Sequence, residues 1–306
     1  MKYKIICLLL VIIVKSNTIY SQDFSIIKNK ADSLRECGDI EGAIFEFRKA
    51  YNENSKNGLN LYNFSCLFSK IKQYDSCFKY LNLSIELDTN FIAFTEADFI
   101  PFRKSKYWNK FESRLLKMIE LKYKNKFKDL EYAKKLWKMS ALDQAYYSDI
   151  SVAEKKIGTN STVVNALWDL KEIINNKNQK ELELLIQKKG WPKISSVGYD
   201  ASITAFLIIQ HSDITKQKKY LPTIQQLCKL NEADWQDYAL MYDRIQTSEN
   251  KPQRYGSQIR FNEITKSYEL YPLEDETKVE EWRNELGMVS LADYLSLYGI
   301  KFEPKK

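Results

Sequence analysis

Apolar residues recur at three- and four-residue spacings through most of the chain, and this period predicts helices. The spacing of Leu, Met, Trp and Tyr predicts one long helix over residues 112–157. Further helices are expected in the stretches that follow it, namely 163–176, 179–189, 201–210, 218–230 and 233–247. Because the helix over 201–210 is apolar on nearly every side, it should be buried.

The pattern changes towards the C-terminal end of the chain. Gly190-Trp191-Pro192 is a strong helix stop, because glycine ends a helix readily and proline cannot continue one. Apolar and polar residues alternate over 253–261, which predicts a strand, and residues 268–271 would return antiparallel to it. Two short helices, 277–286 and 290–298, are expected to follow this β-hairpin.

Residues 24–120 carry an internal repeat with a period of 34 residues. Side chains of matching size recur in two copies, in the pairs Ile27/Leu61, Ala31/Ser65, Leu34/Phe68, Ala43/Cys77, Phe47/Leu81 and Ala50/Ser84. The pattern resembles the tetratricopeptide repeat, a pair of antiparallel helices, with turns at Gly38-Asp39 and Lys72-Gln73. A third copy is degenerate and is interrupted by Pro101. We therefore expect two helical hairpins and a closing element.

The fold class expected from these patterns is mainly α. Two tetratricopeptide-like helical hairpins are followed by an α-helical domain over 128–300, which carries one small antiparallel β-hairpin. The repeats offer a concave face that would dock a protein or peptide partner, since solenoid repeats often build recognition surfaces. With only two repeats, the hairpins could instead be a packing platform for the second domain.

The first 22 residues read as a secretory signal. Lys2 and Lys4 precede an apolar core of ten residues, Ile5 to Val14. This core is too short to span a bilayer, which takes about 20 residues. We expect a periplasmic or secreted protein with no stable membrane insertion after the signal is removed; a retained anchor is the alternative.

The net charge is +7, and removal of Lys2, Lys4 and Lys15 with the signal would lower it to +4. The remaining lysines are scattered over helices, which favours a solvated surface over a nucleic-acid interface. Four cysteines follow the signal, at positions 37, 66, 77 and 228, and their spacing matches no metal site. They read mostly as small buried hydrophobes. We expect no metal and no cofactor.

The second half of the chain carries five short sequence motifs rich in hydrogen-bonding groups. They are Asp143-Gln144, Gly190-Trp191-Pro192, Gln210-His211, Asp243-Arg244 and Pro252 to Gln258. In this order they resemble an uncharacterised bacterial family, the domain of unknown function 6624, over roughly residues 130–300. Ser212 stands where that family usually has alanine, Ser257 where it has threonine, and Tyr146-Tyr147 where an arginine is expected. The resemblance implies positions of interest but no reaction, because the family has no established one.

His211 is the only histidine of the chain, which excludes a zinc site built on two or three histidines. Histidine is also the usual general acid/base near neutral pH. The catalytic candidates are His211, Asp243 as the group that orients it, and Arg244 as a substrate anchor. The candidates for ligand contact are Gln210, Gln253, Tyr255, Gln258, Asp143 and Gln144.

Two functions from different classes are compatible with these residues. The first is a binding protein, in which the repeats dock a partner and the second domain presents a pocket for a small polar ligand. The second is a hydrolase or transferase that uses His211, Asp243 and Arg244, or a thiol dyad of Cys228 with His211. An open cavity around His211, Asp243, Arg244 and Gln258 would favour the enzyme. If the same side chains interlock without a cavity, their role is structural.

Overall fold

A computed structural model describes residues 22–90, 92–124 and 127–303; the predicted signal lies outside these residues except for Gln22. The described chain is mainly helical, as predicted. Its helices are α1 (Gln22–Glu36), α2 (Ile40–Glu53), α3 (Gly58–Lys70), α4 (Tyr74–Leu87), α5 (Ile92–Thr95), α6 (Trp108–Tyr123), α7 (Leu130–Gln144), α8 (Tyr147–Ile157), α9 (Thr162–Lys189), α10 (Ile194–Val197), α11 (Tyr199–Gln210), α12 (Ile214–Lys229), α13 (Trp235–Ser248), α14 (Val279–Glu285) and α15 (Leu291–Ser296). Two 3₁₀ turns, Ala97–Phe99 and Phe102–Lys104, lie between α5 and α6.

The first four helices form the two predicted hairpins, α1 with α2 and α3 with α4. Their turns lie at the predicted positions. Gly38 adopts a φ of 74°, and the Asp39 side chain caps α2 by accepting a hydrogen bond from the Gly42 amide at 2.9 Å. The small residue Ala43 and the large residue Phe47 are both fully buried, as the repeat pattern requires.

The inner side of the second hairpin is covered by the segment that follows it. The Ser69 hydroxyl donates to the carbonyl of Asp98 at 2.5 Å, and the ring of Tyr62 lies 5.6 Å from that of Phe99. The same segment contacts the second half of the chain, because Phe94 stacks on Trp137 of α7 at 4.5 Å. A single hydrophobic core therefore extends from the hairpins into the helices of the second half.

The prediction of one long helix over 112–157 was wrong, since three helices, α6, α7 and α8, occupy this stretch. Lys124 ends α6 in a left-handed conformation, with a φ of 50°. Asp129 then starts α7, because its carboxylate accepts the Tyr132 amide at 3.0 Å. Tyr146, with a φ of 70°, separates α7 from α8. The apolar period continues across these breaks, so periodicity alone did not locate them.

The prediction of two helices over 163–176 and 179–189 was also wrong, because α9 runs unbroken for 28 residues. The polar stretch in its middle does not interrupt it, since these side chains bond to other elements. Asn178, for example, donates to the carbonyl of Met139 on α7 at 3.0 Å. The helix ends at Gly190, as the stop signal predicted.

The sheet is confirmed as one small antiparallel hairpin, β1 (Ile259–Asn262) with β2 (Ser267–Leu270), in which Ile259 pairs with Leu270. The first strand is shorter than predicted, because residues 253–258 form a loop. The backbone amides of Arg254, Tyr255, Ser257 and Gln258 bond to side chains, whereas the amide of Gln253 donates to the carbonyl of Pro272 at 2.9 Å.

The remaining helices follow the predictions closely. The helix α11 is largely buried, as expected, and α13 lies within a residue or two of its predicted bounds. The helix α12 begins four residues before its predicted start at Lys218, because the Asp213 carboxylate caps it by accepting the Lys216 amide at 3.0 Å.

Candidate functional site

Asp243 is fully buried on α13 and folds the loop 253–258 around its carboxylate. One oxygen accepts the Arg254 amide at 2.8 Å and the Tyr255 amide at 3.0 Å. The other accepts the Ser257 amide at 2.9 Å and also approaches the Tyr255 amide, at 3.1 Å. Three main-chain donors of one loop thus converge on a single side chain, and we call residues 253–258 the Asp243 loop.

Glutamines close the Asp243 loop at its two ends. Gln253 is fully buried, and its carbonyl oxygen accepts the Gln258 amide at 2.8 Å. Its side-chain nitrogen donates to the carbonyls of Gln258 at 2.9 Å and Tyr271 at 3.0 Å. Gln258 in turn donates to the Ser257 hydroxyl at 3.0 Å. Because these amide groups bond within the loop and to Tyr271, the residue that follows β2, they shape the backbone.

Two further features hold the Asp243 loop against the end of the chain. Gly256 has a φ of 67°, and a Cβ atom at this position would lie 2.7 Å from Leu291. Arg283 is 2% exposed and donates to the carbonyls of Tyr255 and, at 2.8 Å, Val289. Sequence reasoning missed Arg283, because it lies in a short helix rich in charged residues and nothing in its spacing marks it as buried.

His211 lies at the end of α11 and pairs with Asp143 at the end of α7. Its Nδ1 atom is 3.3 Å from Oδ1 of Asp143, and the two side chains are 11% and 4% exposed. The expected partner was Asp243, whose carboxylate is bonded to the loop amides instead. Gln144 donates to the other Asp143 oxygen at 2.8 Å. Asp143, Gln144 and His211 are thus brought together as candidates, without Asp243.

Lys171 of α9 completes this group and was not predicted. The side chain is buried, and its ammonium donates to the carbonyl of Asp143 and to the Asn175 side chain at 3.0 Å. The ammonium also lies 4.6 Å from the centre of the Tyr147 ring, a cation–π contact. The helical period could have predicted that Lys171 is buried, because Lys171 lies seven residues after the buried Val164 and hence on the same helix face. We call Asp143, Gln144, Lys171 and His211 the His211 cluster.

The two buried aspartates differ in the direction of their pKa shifts. Burial raises the pKa of Asp243, and the hydrogen bonds from the Tyr255, Ser257 and Arg254 amides offset only part of this effect. Burial also acts to raise the pKa of Asp143. There, however, the hydrogen bond and charge of His211, together with the charge of Lys171, lower the pKa below its ordinary value. Burial lowers the pKa of Lys171 itself.

The remaining candidates occupy supporting positions. Gln210 is buried, and its backbone carbonyl accepts a hydrogen bond at 3.1 Å from Gln217, which also donates to the Ser212 carbonyl at 3.0 Å. Tyr255 belongs to the Asp243 loop, and burial raises its pKa to about 12. Arg244 is half-buried on α13, next to Asp243. The ordered turn after α11 fixes the position of His211.

The cysteines do not support thiol chemistry in the described chain. Cys66, Cys77 and Cys228 are buried and Cys37 is exposed, all as free thiols. The Cys228 thiol donates to the carbonyl of Asp234 at 3.2 Å. Burial, followed by the charges of Asp237 and Asp234, raises its pKa to about 12, so it is protonated at neutral pH.

Across 22–90, 92–124 and 127–303, no group of three or more His, Cys, Asp and Glu side chains has the arrangement of a metal site. Within the same ranges, no helix has the length and apolar character needed to span a membrane.

Comparison with known proteins gives one match. The model of a family of unknown function, DUF6624, matches residues 130–303, which contain the Asp243 loop and the His211 cluster. The match does not extend to the hairpins, so the tetratricopeptide resemblance has no support from a family model. No curated protein and no solved structure matches the chain. Because the matched region covers more than half of its length, the chain belongs to the DUF6624 family.

Proposed function

We propose that this chain is an exported binding protein whose family domain takes a small polar ligand at the His211 cluster. The observation that carries the proposal is the pairing of His211 with Asp143, whose backbone carbonyl accepts a hydrogen bond from the buried ammonium of Lys171. Polar groups gathered at one place in a largely buried setting, with a carboxylate whose pKa is lowered, are typical of binding sites. The Asp243 loop lacks this character, because the Asp243 carboxylate accepts only main-chain amides and the one charged side chain of the loop, Arg254, pairs with Glu274.

The hairpins serve as a platform in this proposal. The inner side of the second hairpin is covered by residues 92–104, through the contacts of Tyr62 with Phe99 and of Ser69 with Asp98. Those contacts occupy a surface on which a partner peptide would otherwise dock. The stacking of Phe94 on Trp137 then fixes the hairpins to α7, the helix that carries Asp143.

The second candidate function is an enzyme with His211 as general acid/base. The observation that favours it is the position of Asp143 at Nδ1 of His211, because a carboxylate there fixes the orientation and the tautomer of the ring. Asp143 takes the orienting role that Asp243 was expected to have. Lys171 would hold Asp143 in place through its backbone carbonyl.

The test of the binding proposal uses the fact that the chain has a single histidine, so one set of imidazole NMR signals reports on the site. We expect compounds of one class, from a panel of amino acids, nucleoside monophosphates and monosaccharides, to shift these signals and to raise the thermal midpoint. In His211→Asn the rise should be lost. Cys37→Ser, an exposed change in the hairpins, should retain it.

The same variant distinguishes a binding residue from a structural one. His211→Asn should lower the free energy of unfolding by less than about 1 kcal/mol, since a single hydrogen bond at a partly exposed side chain contributes roughly that amount. A cost well above 2 kcal/mol, with no compound shifting the imidazole signals, would contradict the proposal. Turnover of a compound that is lost in both His211→Asn and Asp143→Asn would favour the enzyme.

A further inference from the structure

Lys171 of α9 is a buried cation that bonds only to neutral groups within the described chain. The side chain is 1% exposed, and its ammonium donates to the backbone carbonyl of Asp143 and, at 3.0 Å, to the side-chain oxygen of Asn175. It forms no ion pair with another described residue. Lysine is almost never fully buried unless it is paired, because an unpaired buried charge costs free energy. Lys171 therefore lacks the negative partner that such a position requires.

The negative groups near Lys171 compensate its charge only in part. The Asp143 carboxylate accepts Gln144 at 2.8 Å and lies 3.3 Å from Nδ1 of His211, so its oxygens are bonded to other groups. The Asp143 carbonyl belongs to the C-terminal end of α7, where the helix dipole supplies about half an elementary charge. Burial lowers the pKa of Lys171 although the charge of Asp143 opposes this shift, so the ammonium is not fully stabilised by its surroundings.

The Lys171 ammonium lies directly beneath an aromatic ring at the surface of the domain. The centre of the Tyr147 ring is 4.6 Å from the ammonium and 6.2 Å from the ring of Trp168. Tyr147, Trp168 and Asn175 are all partly exposed, so one layer of side chains covers the ammonium on this side. Displacement of the Tyr147 ring would therefore bring the ammonium into contact with a molecule from solution.

Tyr147 is the first residue of α8, a helix that buries little of its surface. Of its 11 residues, only Ile150 is buried. Two residues with positive φ bound the helix, Tyr146 at 70° and Gly158 at 83°, and a Cβ atom at Gly158 would meet no other residue within 4 Å. Elements with few buried side chains open locally at a low cost in free energy. The first turn of α8 can therefore move, and the Tyr147 ring with it, while the core stays intact.

We infer, resting on the binding function proposed above, that the ligand of the His211 cluster carries a carboxylate, which binds the Lys171 ammonium once the Tyr147 ring has moved aside. Lys171 and His211 contact the same residue, Asp143, one at its carbonyl and the other at its carboxylate. A small molecule can therefore reach both groups. The carboxylate supplies the negative charge that Lys171 lacks in the protein alone.

A carboxylate matches Lys171 better than a phosphate does. An ammonium has three N–H groups, and two of those of Lys171 bond to Asp143 and Asn175, so one donor and one unit of charge are left for a ligand. A phosphate monoester carries a charge of about −1.5 to −2 at pH 7, which one ammonium does not balance. The neighbouring Asp143 carboxylate would also repel the larger negative charge more strongly. A neutral sugar would leave the ammonium unpaired.

The first test is a titration with acetate at constant ionic strength, followed through the imidazole NMR signals of His211. Acetate should shift these signals to saturation, whereas chloride should not. In Lys171→Met the dissociation constant for acetate should rise at least about tenfold. The control is Lys180→Met, an exposed lysine of the same helix, which should leave the constant unchanged. A lack of saturable acetate binding, equal binding in Lys171→Met, or tighter binding of inorganic phosphate than of acetate would overturn the proposal.

Matched compounds separate this result from a failure of the proposed function. Each amino acid of the panel is compared with its amide, which has a similar shape but no carboxylate. The amide should bind at least about tenfold more weakly. If an amide or a monosaccharide binds as tightly as the acid, and His211→Asn abolishes the response, the binding function stands and the carboxylate is wrong. If no panel compound binds while acetate still requires Lys171, the anion site stands and the binding function lacks its ligand.

The second test leaves Lys171 in place and removes the ring above it, so it decides the outcome even if Lys171→Met loses its helical circular dichroism. Tyr147→Ala should lower the dissociation constant for acetate about threefold or more, because binding no longer breaks the cation–π contact. The control is Tyr123→Ala, which removes a similar contact, with Lys122 at 5.3 Å, on α6. It should leave acetate binding unchanged. A Tyr147→Ala variant that binds acetate no more tightly than the unmodified chain would overturn the proposal, because the ring would not cover the anion site.

Discussion

The family domain buries two aspartates, Asp143 and Asp243, in surroundings of opposite kinds. The Asp243 carboxylate accepts main-chain amides of one loop, and its pKa is raised. The Asp143 carboxylate contacts side chains that carry charge, and its pKa is lowered. In the sequence, the motifs Asp143-Gln144 and Asp243-Arg244 are equally polar. The difference lies in the partners: backbone donors indicate a group that shapes the fold, while ionisable side-chain partners indicate a group that can respond to a ligand or to pH.

The largest effect expected from this difference between Asp143 and Asp243 is the loss of stability on removing the Asp243 carboxylate. Asp243→Ala would leave the buried amides of Arg254, Tyr255 and Ser257 without their acceptor. Each unsatisfied buried donor costs about 1–3 kcal/mol, so we expect a loss of about 3–5 kcal/mol in the free energy of unfolding, measured by urea denaturation.

Asp213→Ala is the matched control for this substitution. Asp213 is an exposed aspartate that accepts one amide, that of Lys216, as the N-cap of α12. Loss of an N-cap costs about 1 kcal/mol. If Asp243→Ala costs no more than Asp213→Ala, the Asp243 loop is not held by its carboxylate and the structural interpretation of this region is wrong.

A smaller effect is expected at Gly256, in the middle of the same loop. Gly256→Ala combines the cost of a left-handed backbone, about 1 kcal/mol for a residue with a Cβ, with a contact of 2.7 Å to the fully buried Leu291. We expect a loss of about 2–4 kcal/mol. Gly287→Ala is the control, because Gly287 has a similar φ of 66° and open space around it. Equal losses in the two variants would mean that close packing against Leu291 does not constrain the loop.

The sequence predicted the ends of helices well where a residue at the end itself carries the signal, such as a glycine or a capping side chain. Gly190 ended α9 as expected, and the turn at Gly38-Asp39 was found from the repeat. Local signals failed where a break depended on a residue with no special propensity, as at Lys124 and Tyr146. Both residues take a left-handed conformation although neither is a glycine or an asparagine, so the local sequence carries no signal for the break.

The sequence identified several residues of the candidate site, but it did not show which of them contact each other. His211 and Asp143 were both singled out, but they lie 68 residues apart in the chain, and only the packing of α11 on α7 brings them together. Asp243 was predicted to orient His211 because it lies in a polar motif. Its carboxylate instead accepts backbone amides that begin 11 residues later in the chain. Lys171 was missed because a lysine on a helix is ordinarily exposed.

The opposite pKa shifts of the two aspartates give the finest test of the comparison, because they predict opposite pH dependences. The pKa of Asp143 is lowered in the folded chain, so its contribution to stability is present above about pH 4 and is lost as pH falls through the folded value. The pKa of Asp243 is raised, so its contribution is present below about pH 4 and is lost as pH rises through the folded value.

The measurement is the free energy of unfolding from pH 3 to pH 7, as a difference between the unmodified chain and each asparagine variant. The difference for Asp143→Asn should shrink as pH falls below about 4, while that for Asp243→Asn should shrink as pH rises above it. Lys171→Met should reduce the slope attributed to Asp143, because it removes one of the two positive charges that lower this pKa. Slopes of the same sign in both asparagine variants would show that burial alone governs the two carboxylates. In that case the cations around Asp143 would not distinguish it from Asp243, and the His211 cluster would lose the property that marks it as a binding site.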